Sequence, residues 1–223
     1  MKQFLARAVL FDLDGVLVDS TVSVERAWHL WAQRHALDVT AVLALAHGRR
    51  SVETIRLVAP HLSAEREAQV LDLSQAMDTS ADRAVKGAAE LLASLPAEHW
   101  AVVTSGPLVL ATARLHAVGL PLPRVLVTAD DVSMGKPHPE GYLKAAHLLR
   151  VAPEECIVLE DAPTGIAAGL AAGMMVIAVA TTYSPTELTT ATRTVQTLAD
   201  VQVKVSQDAP HGIQGSDLVL SIT

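Results

Sequence analysis

The sequence holds one cysteine, Cys156, so no disulfide can form within the chain, and a reducing compartment fits. It has no run of Lys or Arg, and its formal net charge is -7, which argues against a nucleic-acid partner or an acidic membrane surface. It has no stretch suited to spanning a membrane. The longest apolar segment, GIAAGLAAGMMVIAVA (165–180), is short and Gly-rich, and it divides into a helix and a strand at Gly173. The N-terminal MKQFLARAVLF runs into an aspartate pair without a small-residue cleavage site, so no signal peptide is expected. Internal repeats and low-complexity segments are also missing. These absences lead to the expectation of a soluble, cytoplasmic protein. Half of the 223 residues are hydrophobic, enough for one full domain or one domain with a small second one.

What is present is an alternation. AVLF (8–11), WAVVTS (100–105), RVLVTA (124–129), CIVLED (156–161) and MVIAVA (175–180) are short aliphatic runs. Strands buried on both faces read as continuous apolar runs of this kind. Helix-like stretches lie between them: AAELLASL (88–95), VLATARLHAVG (109–119), EGYLKAAHLLR (140–150) and TGIAAGLAAG (164–173). Gly119 and Gly173 stand where C-terminal helix caps belong. The pattern predicts a parallel sheet covered by helices on both faces. Gly165, Gly169 and Gly173 recur every fourth residue and are expected on one helix face, packed close to the sheet.

Residues 20–83 break the alternation, being helical throughout with no strand. A helical insertion is expected there, leaving 1–19 and 84–223 as the core. VQVKVS (201–206) and SDLVLSIT (216–223) alternate around a loop with Pro210, Gly212 and Gly215, the pattern of a terminal β-hairpin.

In α/β sheets, ligands bind beyond the carboxyl ends of the strands. Asp12 and Asp14 end the first strand; Glu160 and Asp161 end CIVLED. Four acidic groups would then converge on one sheet edge, and adjacent carboxylates cost energy unless a cation or a proton offsets them. Hard oxygen donors without Cys or a His cluster point to Mg²⁺.

DLDGVLVD (12–19) resembles the first signature of the haloacid dehalogenase superfamily, whose phosphatases form an aspartyl-phosphate. VVTSG (102–106) resembles its second motif, GKPHPE (135–140) its third, and VLEDAPTGIAAGLAAG (158–173) its fourth. The resemblance implies an α/β fold, a Rossmann-like doubly wound parallel sheet with an inserted α-helical cap. It implies Asp12 as nucleophile and Asp14 as the group that protonates the departing oxygen and then deprotonates water. Mg²⁺ would sit on the side chains of Asp12 and Asp161 and the main-chain carbonyl of Asp14, with Glu160 assisting. Thr104 and the Ser105 N–H would hold the phosphate, and Lys136 would neutralise charge. Gly15 would permit the turn out of the strand.

The cap would choose the organic part of a small phosphorylated substrate. Arg50 is the favoured contact in AHGRRSVETIR (46–56), with Arg49, His47 and Glu25 as further candidates. Val18 to Ser20 and residues 80–86 are expected to hinge it. Within the superfamily the chain looks most like sugar and polyol phosphatases acting on 2-deoxyglucose 6-phosphate, glycerol phosphate or hexitol phosphates. The main rival is a β-phosphoglucomutase-like isomerase. That mutase has a cap histidine where this chain has Val24 and a core lysine where it has Pro107. A non-enzymatic phospho-acceptor fits less well, because of the cap and Asp14. A dehalogenase fits less well because carbon–halogen displacement needs no such metal.

Overall fold

The computed structural model describes residues 2–206 and 217–222. In chain order the elements begin with β1 (Lys2–Ala6), β2 (Ala8–Phe11) and β3 (Val18–Asp19). Four helices follow: α1 (Thr21–Arg34), α2 (Val39–Ala46), α3 (Ser51–Val58) and α4 (Ala64–Met77). The chain continues through β4 (Arg83–Ala84), α5 (Ala88–Ala93), β5 (Trp100–Val103), α6 (Leu108–Ala117), β6 (Leu126–Val127) and α7 (Glu140–Leu149). It ends with β7 (Cys156–Glu160), α8 (Pro163–Ala171), β8 (Met175–Val179), β9 (Arg193–Val195), β10 (Val201–Ser206) and β11 (Asp217–Ile222).

Six strands form one parallel sheet in the order β6-β5-β2-β7-β8-β9. The central strand β2 shows why its sequence is unbroken by polar residues. Val9 and Phe11 point into one apolar cluster, which α5 and α6 cover with Leu91, Leu92, Ala111 and Leu115. Ala8 and Leu10 point into the opposite cluster, which α7 and α8 cover with Tyr142, Ala145 and Ile166. Full burial of a Leu or Phe side chain contributes about 1.5–3 kcal/mol, so both faces must be apolar. From β2 the chain builds outward to β5 and β6, then crosses to β7, β8 and β9. The order therefore reverses at β2, and a crevice opens beyond its carboxyl end.

Helices α1–α4 lie between β3 and β4, two short antiparallel strands that pair Val18 with Ala84 and Asp19 with Arg83. These helices enclose an apolar cluster of their own, in which the Trp28 and Trp31 rings meet edge to face at 5.4 Å. The chain is thus a Rossmann-like doubly wound sheet with an inserted helical unit.

Several elements differ from the sequence expectation. RVLVTA pairs only at Leu126–Val127, because Thr128 and Asp131 close a capping box directly after it. β9 is an additional short parallel strand at the sheet edge. β10 and β11 pair as expected, and β11 also pairs with β1, giving three antiparallel strands. The expected loop residues Pro210, Gly212 and Gly215 lie outside the described residues. Gly173 lies past the end of α8, so only Gly165 and Gly169 share the packed face. Among the described residues no helix is long and apolar enough to cross a membrane.

Candidate active site

The crevice beyond β2 is built by a tight turn. The Asp12 N–H donates to the Leu159 carbonyl at 2.9 Å, which ties the end of β2 to β7. Gly15 then adopts φ +82°, and its N–H donates to the Val18 carbonyl at 2.7 Å. A Cβ on Gly15 would stand 1.9 Å from Asp161 Oδ2, so the close approach of the two strand ends itself requires glycine.

Asp12, Glu160 and Asp161 are all buried, and one carboxylate oxygen from each lies within 4.8 Å of the others. Lys136 enters from the loop before α7. Its Nζ donates to Asp12 Oδ1, to Glu160 Oε1 at 2.7 Å and to the Val103 carbonyl at 3.2 Å. Glu160 is fully engaged by the protein. Tyr142 Oη donates to its Oε1 at 3.0 Å, and the N–H groups of Asp161 and Ala162 donate to its Oε2 at 2.8 and 3.0 Å. A Cβ on Gly165 would stand 1.6 Å from Glu160 Oε1, so α8 comes this close only with glycine there.

The electrostatics follow from burial. Removal from water pushes Asp12 up to about 7, against the pull of Lys136 and with added repulsion from Glu160 and Asp14. Burial and then the charges of Glu160 and Asp12 push Asp161 well above the carboxylate range. Burial alone would lower Lys136, but Asp12 and Glu160 hold it above its ordinary value, so it stays charged. Three carboxylates facing one ammonium give a net charge of -2 when all are ionised. Oxygen donors with excess negative charge fit a hard divalent cation such as Mg²⁺.

A cavity of about 60 Å³ joins this cluster to the inserted helices. Asp12, Asp14, Ser105 and Asp161 line the core side; Val24, Trp28, His47, Gly48, Arg49, Ser51, Asp72 and Gln75 line the other. The Gly48 carbonyl accepts from Ser105 Oγ at 3.1 Å and from Thr164 Oγ1 at 3.4 Å, so the loop between α2 and α3 rests on the core. Burial lowers the His47 pKa, and Glu25 and Asp14 oppose that shift.

The residues expected at the site are not all together. Asp12, Asp14, Ser105, Asp161, His47 and Arg49 line the cavity, while Glu160 and Lys136 sit directly beneath Asp12. Thr104 is buried, and its Oγ1 accepts from the Gly106 N–H at 3.1 Å. Arg50 faces elsewhere. It pairs with Glu53 and donates to the carbonyls of Val132 at 3.3 Å and Ser133 at 3.2 Å, in the loop that leads to Lys136. Glu25 is exposed on α1 and does not line the cavity. Asp72, Gln75 and Arg114 line it without having been singled out from the sequence. For Arg114 a signal was present, the one arginine in the mostly aliphatic helix LVLATARLHA (108–117).

Residues 6–173 match the family model of haloacid dehalogenase-like hydrolases. The chain belongs to that family. This hydrolase is 47% identical to hexitol phosphatase A of Escherichia coli over 178 residues, 78% of this chain and 82% of the relative. It is 34% identical to 2-deoxyglucose-6-phosphate phosphatase 2 of Saccharomyces cerevisiae, over 96% of both chains. A solved structure of a putative β-phosphoglucomutase from Bacteroides vulgatus superposes with a TM-score of 0.73 at 30% identity, covering 87% of this chain and 85% of that one.

Proposed function

We propose that this hydrolase removes phosphate from small phosphorylated sugars or polyols, using Mg²⁺ and a phospho-aspartate formed on Asp12. The observation that carries the reading is the buried trio of Asp12, Glu160 and Asp161, offset by Lys136 at the carboxyl ends of β2 and β7. The names of the relatives support the substrate class.

The side chains of Asp12 and Asp161 and the main-chain carbonyl of Asp14 would hold the metal. Glu160 would act next to them by fixing Lys136, since protein donors already occupy both of its oxygens. When bound, Mg²⁺ supplies positive charge to the phosphoryl oxygens and keeps the acidic cluster ionised. Asp12 attacks phosphorus in line. Asp14 gives a proton to the departing sugar oxygen and then takes one from the water that hydrolyses the phospho-aspartate. Lys136, Thr104 and the Ser105 N–H neutralise and orient the phosphate.

The inserted unit acts as a cap hinged at β3 and β4, and His47 and Arg49 meet the organic part of the substrate. The cavity of about 60 Å³ is too small for a phosphorylated hexose, so on this reading substrate enters on opening and water is expelled on closing. A cytoplasmic location completes the reading.

The mutase reading draws on the structural likeness to the Bacteroides vulgatus protein. Against it, Val24 lines the cavity where such a mutase carries a histidine. A phosphate-release panel separates the two, using hexitol 6-phosphates, 2-deoxyglucose 6-phosphate and glycerol phosphate with Mg²⁺ or EDTA and no bisphosphate. Mg²⁺-dependent release is expected. Isomerisation that requires a bisphosphate, without net hydrolysis, would overturn the reading.

A further inference from the structure

Arg114 sits on core helix α6 and is 2% exposed. A guanidinium buried this deeply costs free energy unless opposite charge and hydrogen-bond acceptors surround it. Its Nη1 donates to Asp14 Oδ1 and its Nη2 to Gln75 Oε1 at 2.9 Å, while its Nε makes no hydrogen bond and only an ion-pair contact with Asp82 Oδ2 at 3.6 Å. These partners belong to three parts of the chain: the turn after β2, the last helix of the insertion, and the return toward β4. Ser20, directly before α1, donates from Oγ to the same Asp14 Oδ1 at 2.7 Å. Both hydrogen bonds to Asp14 fall on Oδ1, and among the described residues none falls on Oδ2. One oxygen is tied down, and the other is left for a reacting group in the cavity that Asp14 lines.

We infer that Arg114 is a positioning residue, which holds the Asp14 carboxyl for proton transfer and, through Gln75, does so fully only when α4 is seated against α6. This rests on the proposed role of Asp14 as proton donor. The proton travels from the free Asp14 oxygen to the sugar oxygen as the O–P bond breaks; Arg114 exchanges none. A swing of the insertion about β3 and β4 must break the Gln75 contact, which leaves Asp14 less firmly held while the site is open to water. Asp12 attacks without help from Arg114. Loss of Arg114 therefore matters most where the leaving oxygen needs a proton.

The test compares kcat/KM for glycerol phosphate, whose alkoxide must be protonated, with that for p-nitrophenyl phosphate, whose phenolate departs unaided. The ratio reports phosphoryl transfer to Asp12 and is blind to later hydrolysis. Arg114→Met should lower the glycerol phosphate value by about 100-fold or more and the aryl phosphate value by less than about 10-fold. Arg114→Lys should recover part of the difference. Gln75→Leu should give a smaller loss with the same selectivity, about 3- to 10-fold, and should add nothing to Arg114→Met in the double variant. Equal losses on both substrates, or an additive double variant, would overturn the inference. If Arg114→Met fails to fold, Arg114→Lys and Gln75→Leu carry the same comparison. Asp14→Asn is the control. If it shows no leaving-group selectivity, the proton role of Asp14 fails. If it shows selectivity and the Arg114 variants do not, only the positioning role fails.

Discussion

The two walls of the cavity are built to different standards. On the core side Asp12, Lys136, Glu160 and Asp161 are between 0 and 6% exposed and bonded to one another or to backbone groups. On the inserted side His47, Gly48 and Arg49 are half-buried, and the Nε of Arg49 is buried with no hydrogen-bond partner. The core wall spends its side chains on each other. On the inserted wall Ser51 is bonded to Asp72 and Gln75 to Arg114, but the Nε of Arg49 is left without a partner. On the proposed reading the bonded charges of the core wall would carry the chemistry, and Arg49 on the facing wall could change without disturbing them.

The largest effect that would break this comparison is at Asp12. If Asp12 is the nucleophile as proposed, Asp12→Asn should lower kcat by about 10⁴-fold or more on every substrate, because no neighbouring carboxylate would replace its attacking oxygen. Phosphate release across the panel measures it. Residual activity that varied with substrate would mean that the core wall also selects.

The next effect is on stability. Burial raises the folded pKa of Asp12 to about 7, whereas the unfolded group is near 3.8. The folded state thus holds its proton more tightly, and stability falls as pH rises from about 4 to 7, by up to about 4 kcal/mol from this group. In EDTA, Tm should drop across that window, and Asp12→Asn should flatten the drop. Mg²⁺, which favours the ionised carboxylates, should raise Tm more at pH 7.5 than at pH 5. An equal Mg²⁺ shift at both pH values would separate the cation from this cluster.

The core wall was legible in the sequence and the inserted wall much less so. AVLF and CIVLED announce strands because both sheet faces are buried, and the acidic residues follow at their ends. β1 was less legible, since KQFLA becomes a strand only by pairing with β11, some two hundred residues later. RTV at β9 is too short and polar to stand out. Arg114 could be noticed as a charge in an apolar helix, but its partners lie 39 and 100 residues away, beyond any local pattern. Arg49 and Arg50 show the same limit. Adjacent residues entering a helix point in very different directions, and spacing alone does not say which one faces the cavity.

That difference gives the smallest and sharpest effects. Arg49 lines the cavity, while Arg50 is bound to Glu53 and to the loop ahead of Lys136. Arg49→Ala should therefore reorder substrates, lowering kcat/KM for the preferred sugar or polyol phosphate by about 10-fold and that for acetyl phosphate much less. Arg50→Ala should instead lower both by a similar few-fold, because it loosens the loop that delivers Lys136 to Asp12 and touches no hydroxyl of the substrate. The sequence favoured Arg50 as the selecting residue; Arg49 is the one of the two that lines the cavity. A reordered profile in Arg50→Ala together with an unchanged one in Arg49→Ala would return the role to Arg50. The closed cavity would then have to rearrange on opening by more than a hinge at β3 and β4 provides.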